Sequence, residues 1–257
     1  MNSKDIKNIS NYHKINERVK LDSDAIKYHT IQWETPKRST LAFEKFISHK
    51  LLNSKNIIDL GSGAGAVTAY LASRNNSINF TAFEYLIELV DIGIKVKSTK
   101  ELDNLSFEQG DWYNLNLNQK YDGCISLQTL SWLPDYETPL IEIFQKINPN
   151  FIALTSLFYE GDITCHIQVD EHLKNKKYFY NVYALPAIRR LCEKYGYNLK
   201  TFIPFEIDID IEKPDNLNIM GTYTQTVIAK DPSEKKLLQI SGPLLMNWYM
   251  LLIEKNI

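Results

Sequence analysis

Three glycines spaced two apart, Gly61, Gly63 and Gly65, follow Asp59 in the run Asp59-Leu-Gly-Ser-Gly-Ala-Gly65. Glycine lets a backbone turn sharply and lets a ligand come close to the main chain. A helix that starts just after such a turn offers unpaired N–H groups to a polar ligand. Two more acids follow at useful intervals: Glu84 closes Phe80-Thr-Ala-Phe-Glu84, and Asp111 sits in Gln109-Gly-Asp-Trp112. At the end of a strand, Glu84 can accept both hydroxyls of a ribose, and Asp111 can accept an adenine amino group. At a strand end Glu84 is also expected to lie outside the core. The pattern Gly61-x-Gly63-x-x-Ala66 equally satisfies the dinucleotide fingerprint, with Glu84 as the ribose acid.

A second group of reactive side chains lies later. Tyr159, Glu160, Asp162 and His166 fall close together, with Asp170 and His172 just beyond. His166 has an ordinary pKa near 6.5, close to a neutral working pH, which suits a general base; Asp162 can orient an acceptor or take the base role itself. Near the N-terminus, Trp33, Lys37 and Arg38, with His29, read as a lid carrying a cationic clamp for a phosphorylated ligand. There is no H-x-H and no H-E-x-x-H, and Cys124, Cys165 and Cys192 lie far apart. No metal site is expected, and the cysteines suit a reducing cytoplasm.

These residues need elements to hold them. Lys55–Leu60 reads as a short apolar strand, Ala66–Ala72 as a helix, Ile78–Phe83 as a strand, and Leu86–Val96 as a helix. Leu105–Glu108, Tyr121–Leu127 and Phe151–Phe158 read as further strands, with a helix over Pro139–Ile147. Strands alternating with helices predict βαβ units and a mostly parallel sheet. Beyond residue 185, Pro186–Tyr195 reads as a helix stopped by Gly196. Phe202–Ile211 alternates like a half-exposed strand, and Thr222–Ala229 and Asn247–Ile253 read as two more strands. Ser39-Thr40 can cap a helix bearing Leu41, Phe43, Phe46 and Ile47. The expected organisation is an N-terminal helical extension or lid over residues 1–50, which includes Tyr12 and Tyr28, and a domain over 51–257 with an insertion at about 159–185.

The chain has 257 residues, 44% hydrophobic and 23% charged, with 29 basic against 31 acidic side chains. That is ample apolar material for a core, and a net charge of -2 argues against an extended nucleic-acid footprint. No apolar run reaches the roughly 18 residues that span a bilayer. The first residues lack the apolar stretch of a signal peptide. A cytoplasmic protein without membrane or nucleic-acid partners is therefore expected.

The glycine loop, Glu84, Gly110-Asp111 and the strand Tyr121-Asp-Gly-Cys-Ile-Ser-Leu127, in that order, resemble the class I S-adenosylmethionine-dependent methyltransferases over about residues 55–158. The run Met246–Lys255 resembles the antiparallel seventh strand of that fold. The resemblance implies an α/β, Rossmann-like architecture: a seven-stranded, mostly parallel sheet with an antiparallel last strand and helices on both faces. It implies S-adenosylmethionine as cofactor and S-adenosylhomocysteine as product. Asp59 would order the loop near the methionine amino group. Gly61, Gly63 and Gly65 would let the cofactor pass, with Ser62 where relatives commonly carry Cys or Thr. Glu84 would hold the ribose, with Tyr85 packed on it or on the adenine. Asp111 and the Trp112 backbone would read the adenine, and Leu127 and Gln128 would border the methionine moiety and the methyl group.

More narrowly, Phe158–Ile163, Phe205–Pro214 and Gln239–Lys255 are similar to methyltransferases of bacterial capsule and surface-polysaccharide biosynthesis. That likeness implies O-methylation of an activated sugar or a sugar-linked group such as phosphoramidate. Tyr159, Glu160, Trp33, Lys37 and Arg38 would then contact the acceptor, and His166 or Asp162 would take its proton. The expected partner is a small nucleotide-linked sugar, and the expected state a monomer or homodimer. An NAD-dependent oxidoreductase and an RNA methyltransferase are the alternatives. Against the first, Tyr70, Tyr85, Tyr121, Tyr159, Tyr195 and Tyr249 have no Lys four residues later. Against a base-amino enzyme, Leu127-Gln-Thr-Leu130 stands where N/D-P-P-Y/F is typical.

Overall fold

The computed structural model describes residues 21, 23–173, 175–215, 221–228, 235–241 and 244–256; the expected extension before residue 21, Tyr12 included, and the end of the Thr222–Ala229 strand lie outside them. Helices α1 (Ser23–Ile31) and α2 (Arg38–Leu51) lead into β1 (Asn56–Leu60). Next come α3 (Ala66–Arg74), β2 (Asn79–Glu84), α4 (Ile87–Lys97), β3 (Leu105–Gln109) and β4 (Gly123–Leu127). A 3-10 turn at Leu130–Trp132 precedes α5 (Glu137–Glu142), which runs on as a π-turn over Ile143–Ile147, and β5 (Phe151–Tyr159) follows.

The main sheet is ordered β3-β2-β1-β4-β5-β13-β9, where β9 is Tyr197–Pro204 and β13 is Trp248–Lys255. Strands β1 to β5 pair in parallel, and β13 runs antiparallel to both of its neighbours. The short β8 (Tyr183–Ala184) adds an eighth strand beside the end of β5. This is the expected Rossmann-like sheet with an antiparallel last strand. Strand order reverses at β1, with β2 on one side and β4 on the other, and the crevice over such a switch point is where open α/β sheets bind ligands. Both faces are covered, so the central strands are apolar throughout rather than alternating. Phe43, Ile47, Leu71, Phe80 and Leu105 fill one face. Phe144, Tyr183, Ile188 and Leu251 fill the other, Phe144 coming from the π-turn after α5 and Ile188 from α6 (Leu185–Lys194).

Three readings from sequence are corrected. The sixth sheet strand is Tyr197–Pro204, and Phe205–Ile211 leaves the sheet. Its acids are drawn outward, with Asp208 paired to Arg38 at 2.6 Å. Helix α2 starts at Arg38 with Lys37 as its N-cap and no side-chain cap bond, so Ser39 and Thr40 lie inside its first turn. The segment after β5 holds a hairpin, β6 (Gln168–Glu171) with β7 (Lys176–Phe179). A second antiparallel sheet, β10 (Thr222–Ile228), β11 (Lys235–Ser241) and β12 (Leu244–Leu245), includes two strands, β11 and β12, that sequence did not suggest. No helix among the described residues is long and apolar enough to cross a membrane.

A buried polar knot joins this later half to the main sheet. The Ser131 and Ser156 hydroxyls meet at 2.5 Å, and Leu157 N–H donates to Ser131 Oγ. Asn181, fully buried, accepts from Ile167 N–H and donates to the Leu133 carbonyl and the Tyr183 hydroxyl. Replacing Asn181 by Ala strips those partners inside the protein, where each unsatisfied group costs about 1–3 kcal/mol. Asn181→Ala should lower the urea midpoint, while a surface control such as Lys45→Ala should leave it unchanged.

Candidate functional site

The glycine loop sits at the C-terminal end of β1, over the switch point. Gly61, Gly63 and Gly65 have φ of 70°, 58° and 78°, which side chains other than glycine rarely adopt. Space is short as well. A Cβ on Gly61 would lie 2.4 Å from Thr129 Cγ2, and one on Gly65 would lie 2.5 Å from the Phe107 ring. The loop is pinned from three directions. Gly61 N–H and Ser62 N–H both donate to the Phe83 carbonyl, and Gly63 N–H donates to Glu84 Oε2 at 2.8 Å. Thr129 Oγ1 donates to the Gly61 carbonyl at 3.0 Å, and Trp33 Nε1 donates to the Ala64 carbonyl at 3.0 Å.

Glu84 is only 8% exposed, which corrects the expectation that it lies outside the core. Its other oxygen accepts Leu86 N–H at 3.1 Å, and burial raises its pKa against these backbone bonds. A carboxylate offers about four lone-pair sites, so Glu84 keeps some acceptor capacity beyond the backbone N–H groups of Gly63, Tyr85 and Leu86. Asp59 is buried too. Its Oδ2 accepts the Thr68 hydroxyl at 2.6 Å, while Oδ1 is buried with no hydrogen-bond partner among the described residues. Burial pushes the Asp59 pKa up to about 7, partly offset by Thr68 and reinforced by the Glu84 charge.

Around this centre, Asp111 Oδ1 accepts Tyr113 N–H at 2.8 Å. The Trp112 indole is buried in the core and donates to the Pro139 carbonyl, so any ligand contact would come from its backbone. Tyr85 is half-buried, and its carbonyl accepts Gln109 Nε2. Leu127 ends β4, and Gln128 follows with φ at 62°, an unusual conformation for a side-chain-bearing residue. Gln128 N–H is held by both the carbonyl and the hydroxyl of Thr155. Strained backbone of this kind clusters at functional sites.

The residues expected on the acceptor side are scattered. Asp162 forms a two-pronged ion pair with Arg190 of α6, at 2.7 and 3.0 Å, and Arg190 holds its carboxyl below the usual range. That exposed pair occupies Asp162 and makes it a weaker proton acceptor than a free carboxylate. Glu160 accepts the Tyr249 hydroxyl at 3.0 Å, and Tyr159 is exposed. His166 is exposed, with its ring edge-on to Tyr183 at 6.3 Å. Trp33 is a core anchor stacked on Phe107, and Arg38 is spent on Asp208, so neither stands free as an acceptor contact. Lys37 sits 4.6 Å over the Tyr28 ring with its ammonium 2.5 Å from the phenol oxygen. The histidine that reaches the loop is His29 of α1: a Cβ on Gly63 would lie 3.2 Å from its Cε1. Burial, then the charge of Lys37, lowers its pKa to about 4. Among the described residues no cluster of His, Cys, Asp or Glu is placed to hold a metal ion.

Residues 51–215, well over half of the chain, match the family described as Methyltransferase domain. The chain belongs to this methyltransferase family. It is 24% identical over 210 residues to a malonyl-[acyl-carrier protein] O-methyltransferase of Priestia megaterium, covering 76% of this chain and 73% of that one. It is 29% identical over 84 residues to a release factor glutamine methyltransferase of Aliivibrio fischeri, covering 32% of this chain and 30% of that one. Several curated relatives are thus matched over less than two thirds of their length. In fold, it resembles a glycopeptide N-methyltransferase solved with S-adenosylmethionine, with a TM-score of 0.57 at 11% identity, covering 86% of this chain and 96% of that one.

Membership decides between the two readings of the glycine run, and the dinucleotide reading gives way. The cofactor of this methyltransferase domain is S-adenosylmethionine, and the loop fits it. The left-handed glycine turn is fixed by packing against Thr129 and Phe107, and beside it Asp59 Oδ1 is a buried acceptor with no donor among the described residues, a costly arrangement unless a ligand uses it. Thr129 and His29 are parts of the loop's surroundings that the motif did not announce; the only hint of Thr129 was a polar residue soon after the fourth strand.

Asp59 and the half-buried His29 bias stability in opposite senses. Asp59 is raised from 3.8 to about 7, so its contribution is full below 3.8 and lost as pH rises through 7. His29 is lowered from 6.5 to about 4, so its contribution is full above 6.5 and lost as pH falls towards 4. Asp59→Asn should therefore raise the thermal midpoint of the ligand-free chain most above neutral pH, with the gain shrinking in acid. His29→Gln should resist acid better than wild type between those two His29 values. Melting curves across pH check both; parallel wild-type and variant profiles would refute the assignment.

Proposed function

We propose that this chain transfers the methyl group of S-adenosylmethionine to an oxygen of a small polar acceptor, an activated sugar or sugar-linked group. The observation that carries the reading is the buried, donorless Asp59 Oδ1 beside a glycine loop pinned open by Glu84. When bound, the cofactor supplies an electrophilic methyl group on a cationic sulfur. The chain's own residues then bind and align. Asp59 Oδ1 would accept the methionine ammonium, and the spare lone pairs of Glu84 would accept the ribose hydroxyls. Asp111 and the Trp112 backbone would meet the adenine, with Tyr85 beside it. Gln128 and Leu127, fixed on Thr155, would border the reacting methyl.

Oxygen transfer is supported by the Priestia relative, a malonyl-[acyl-carrier protein] O-methyltransferase. A hydroxyl acceptor must shed a proton. Since Asp162 is engaged by Arg190 and His166 stands by Tyr183, the proton acceptor proposed here is His29, which touches the loop. Lys37 and burial keep its imidazole neutral at neutral pH, ready to accept a hydrogen bond, and an anionic acceptor beside it would strengthen it as a base. Direct displacement at carbon makes alignment the first requirement and the base the second.

Calorimetry tests the reading. S-adenosylhomocysteine should bind and NAD should not; binding of NAD alone would end it. Glu84→Gln should weaken S-adenosylhomocysteine binding by about 1.5–3 kcal/mol, the worth of a hydrogen bond to a charged group. The amide keeps the shape and one acceptor oxygen but sets its NH2 against the Gly63 or Leu86 N–H, so the loop loosens locally while circular dichroism should show the sheet and helices intact.

A further inference from the structure

An aromatic cluster next to the loop has no part in holding the cofactor. Trp132 closes the 3-10 turn after β4, and its ring meets Tyr178 at 5.0 Å and Tyr180 at 4.8 Å between centroids. The turn begins at Thr129, whose hydroxyl bonds Gly61, so the indole starts one turn away from the glycine loop. On the other side of the turn, α1 brings His29 to Gly63, and its neighbour Tyr28 carries Lys37 on its ring. The aromatic cluster, through Thr129 and Gly61, and Lys37, through Tyr28 and His29, therefore border the same glycine loop.

The cluster is rigid where it matters and open where it matters. Ser131, next to Trp132, is locked by Ser156 and by the Asn181 N–H, so the indole cannot drift with a loose loop. The Tyr178 hydroxyl is spent on Glu171 at 2.9 Å, which leaves its ring as the available surface. Trp132 nevertheless stays 36% exposed, much more than the other large aromatics packed into the cores. Aromatic faces carry negative charge density and attract either cations or the polarised C–H bonds of a sugar ring. The ammonium of Lys37 disfavours a cationic guest and suits a phosphate. We propose that Trp132 and Tyr178, with Tyr28 and Lys37, form the acceptor subsite: a sugar ring lies on the indole and its phosphate meets Lys37. The subsite rests on the methyl-transfer reading above and names its acceptor half.

The test uses the full chain with five probes: UDP-glucose, UDP-galactose, UDP, methyl glucoside and tetramethylammonium. Each is titrated by calorimetry into protein saturated with S-adenosylhomocysteine. At least one UDP-sugar should bind wild type, and UDP or methyl glucoside alone should bind more weakly, since each carries half of the ligand. Trp132→Leu should weaken that binding at least about ten-fold, the 1.4 kcal/mol scale of one lost stacking contact. Lys37→Gln should weaken UDP-sugar and UDP alike and leave methyl glucoside unchanged. Tyr178→Leu provides a second variant of the platform should Trp132→Leu fold poorly, and unchanged S-adenosylhomocysteine binding certifies the fold of each. Failure of wild type to bind S-adenosylhomocysteine sinks the methyl-transfer reading itself. Cofactor binding with no UDP-sugar binding, equal sugar binding by wild type and both platform variants, or preference for tetramethylammonium overturns the subsite alone.

Discussion

A left-handed turn at the end of β1 has to be held in place, and Glu84 is the group that holds it. Three glycines in succession adopt a conformation with no intrinsic preference for one geometry, because glycine is permissive in either direction. Definition comes from outside the loop. The Glu84 carboxylate takes Gly63 N–H from one side and Leu86 N–H from the other, which ties the loop after β1 to the turn after β2. Burying a carboxylate is costly, and charge-assisted bonds to backbone N–H groups are the kind that offset it. The same atoms that fix the loop are those the ribose would share. Loop geometry and ligand affinity therefore depend on one side chain, and Glu84 cannot be assigned to the fold or to the site alone.

The second strut is the contact of Thr129 with Gly61. It requires that position 61 lack a side chain and that the chain leave β4 through Gln128 in a left-handed conformation. Thr155 stabilises that conformation from β5. The Ser131–Ser156 and Asn181 bonds then carry the constraint into the segment after β5, so the later half of the molecule is registered against the cofactor loop through buried polar groups. Such networks hold geometry well only when every member is satisfied, and here each serine and Asn181 has partners.

The loop, its acids and the parallel sheet were legible because each is local. Glycine spacing, a strand that ends in an acid, and the alternation of strands and helices lie within short windows of sequence. What stayed hidden depends on partners far away in the chain. Asp162 reads as a free carboxylate until Arg190, 28 positions on, claims it, and Arg38 reads as a phosphate clamp until Asp208, 170 positions on, does the same. Trp33 looks like an exposed recognition residue, yet tertiary packing puts it under Ala64 and against Phe107. Alternation at Phe205–Ile211 mimics a strand, although the sheet edge is already filled by Tyr197–Pro204. That His29 and not His166 lies beside the glycine loop follows from the placement of α1, which no local pattern contains.

The electrostatics of the site follow from the same burial. Asp59 and His29 flank the loop, and burial favours the neutral form of each, one by raising a pKa to about 7 and the other by lowering one to about 4. Beside these two groups the site's charged side chains are Glu84 and Asp111, with Lys37 acting on His29. A cationic ligand group near Asp59 would pull that carboxyl back towards its ionised form, and an anionic group near Lys37 would restore basicity to His29. Each charge arriving in the pocket would therefore be met by a group that becomes charged to match it. A site arranged this way disfavours one ligand alone less than it rewards two of opposite sign, and a cationic cofactor beside an anionic acceptor is such a pair.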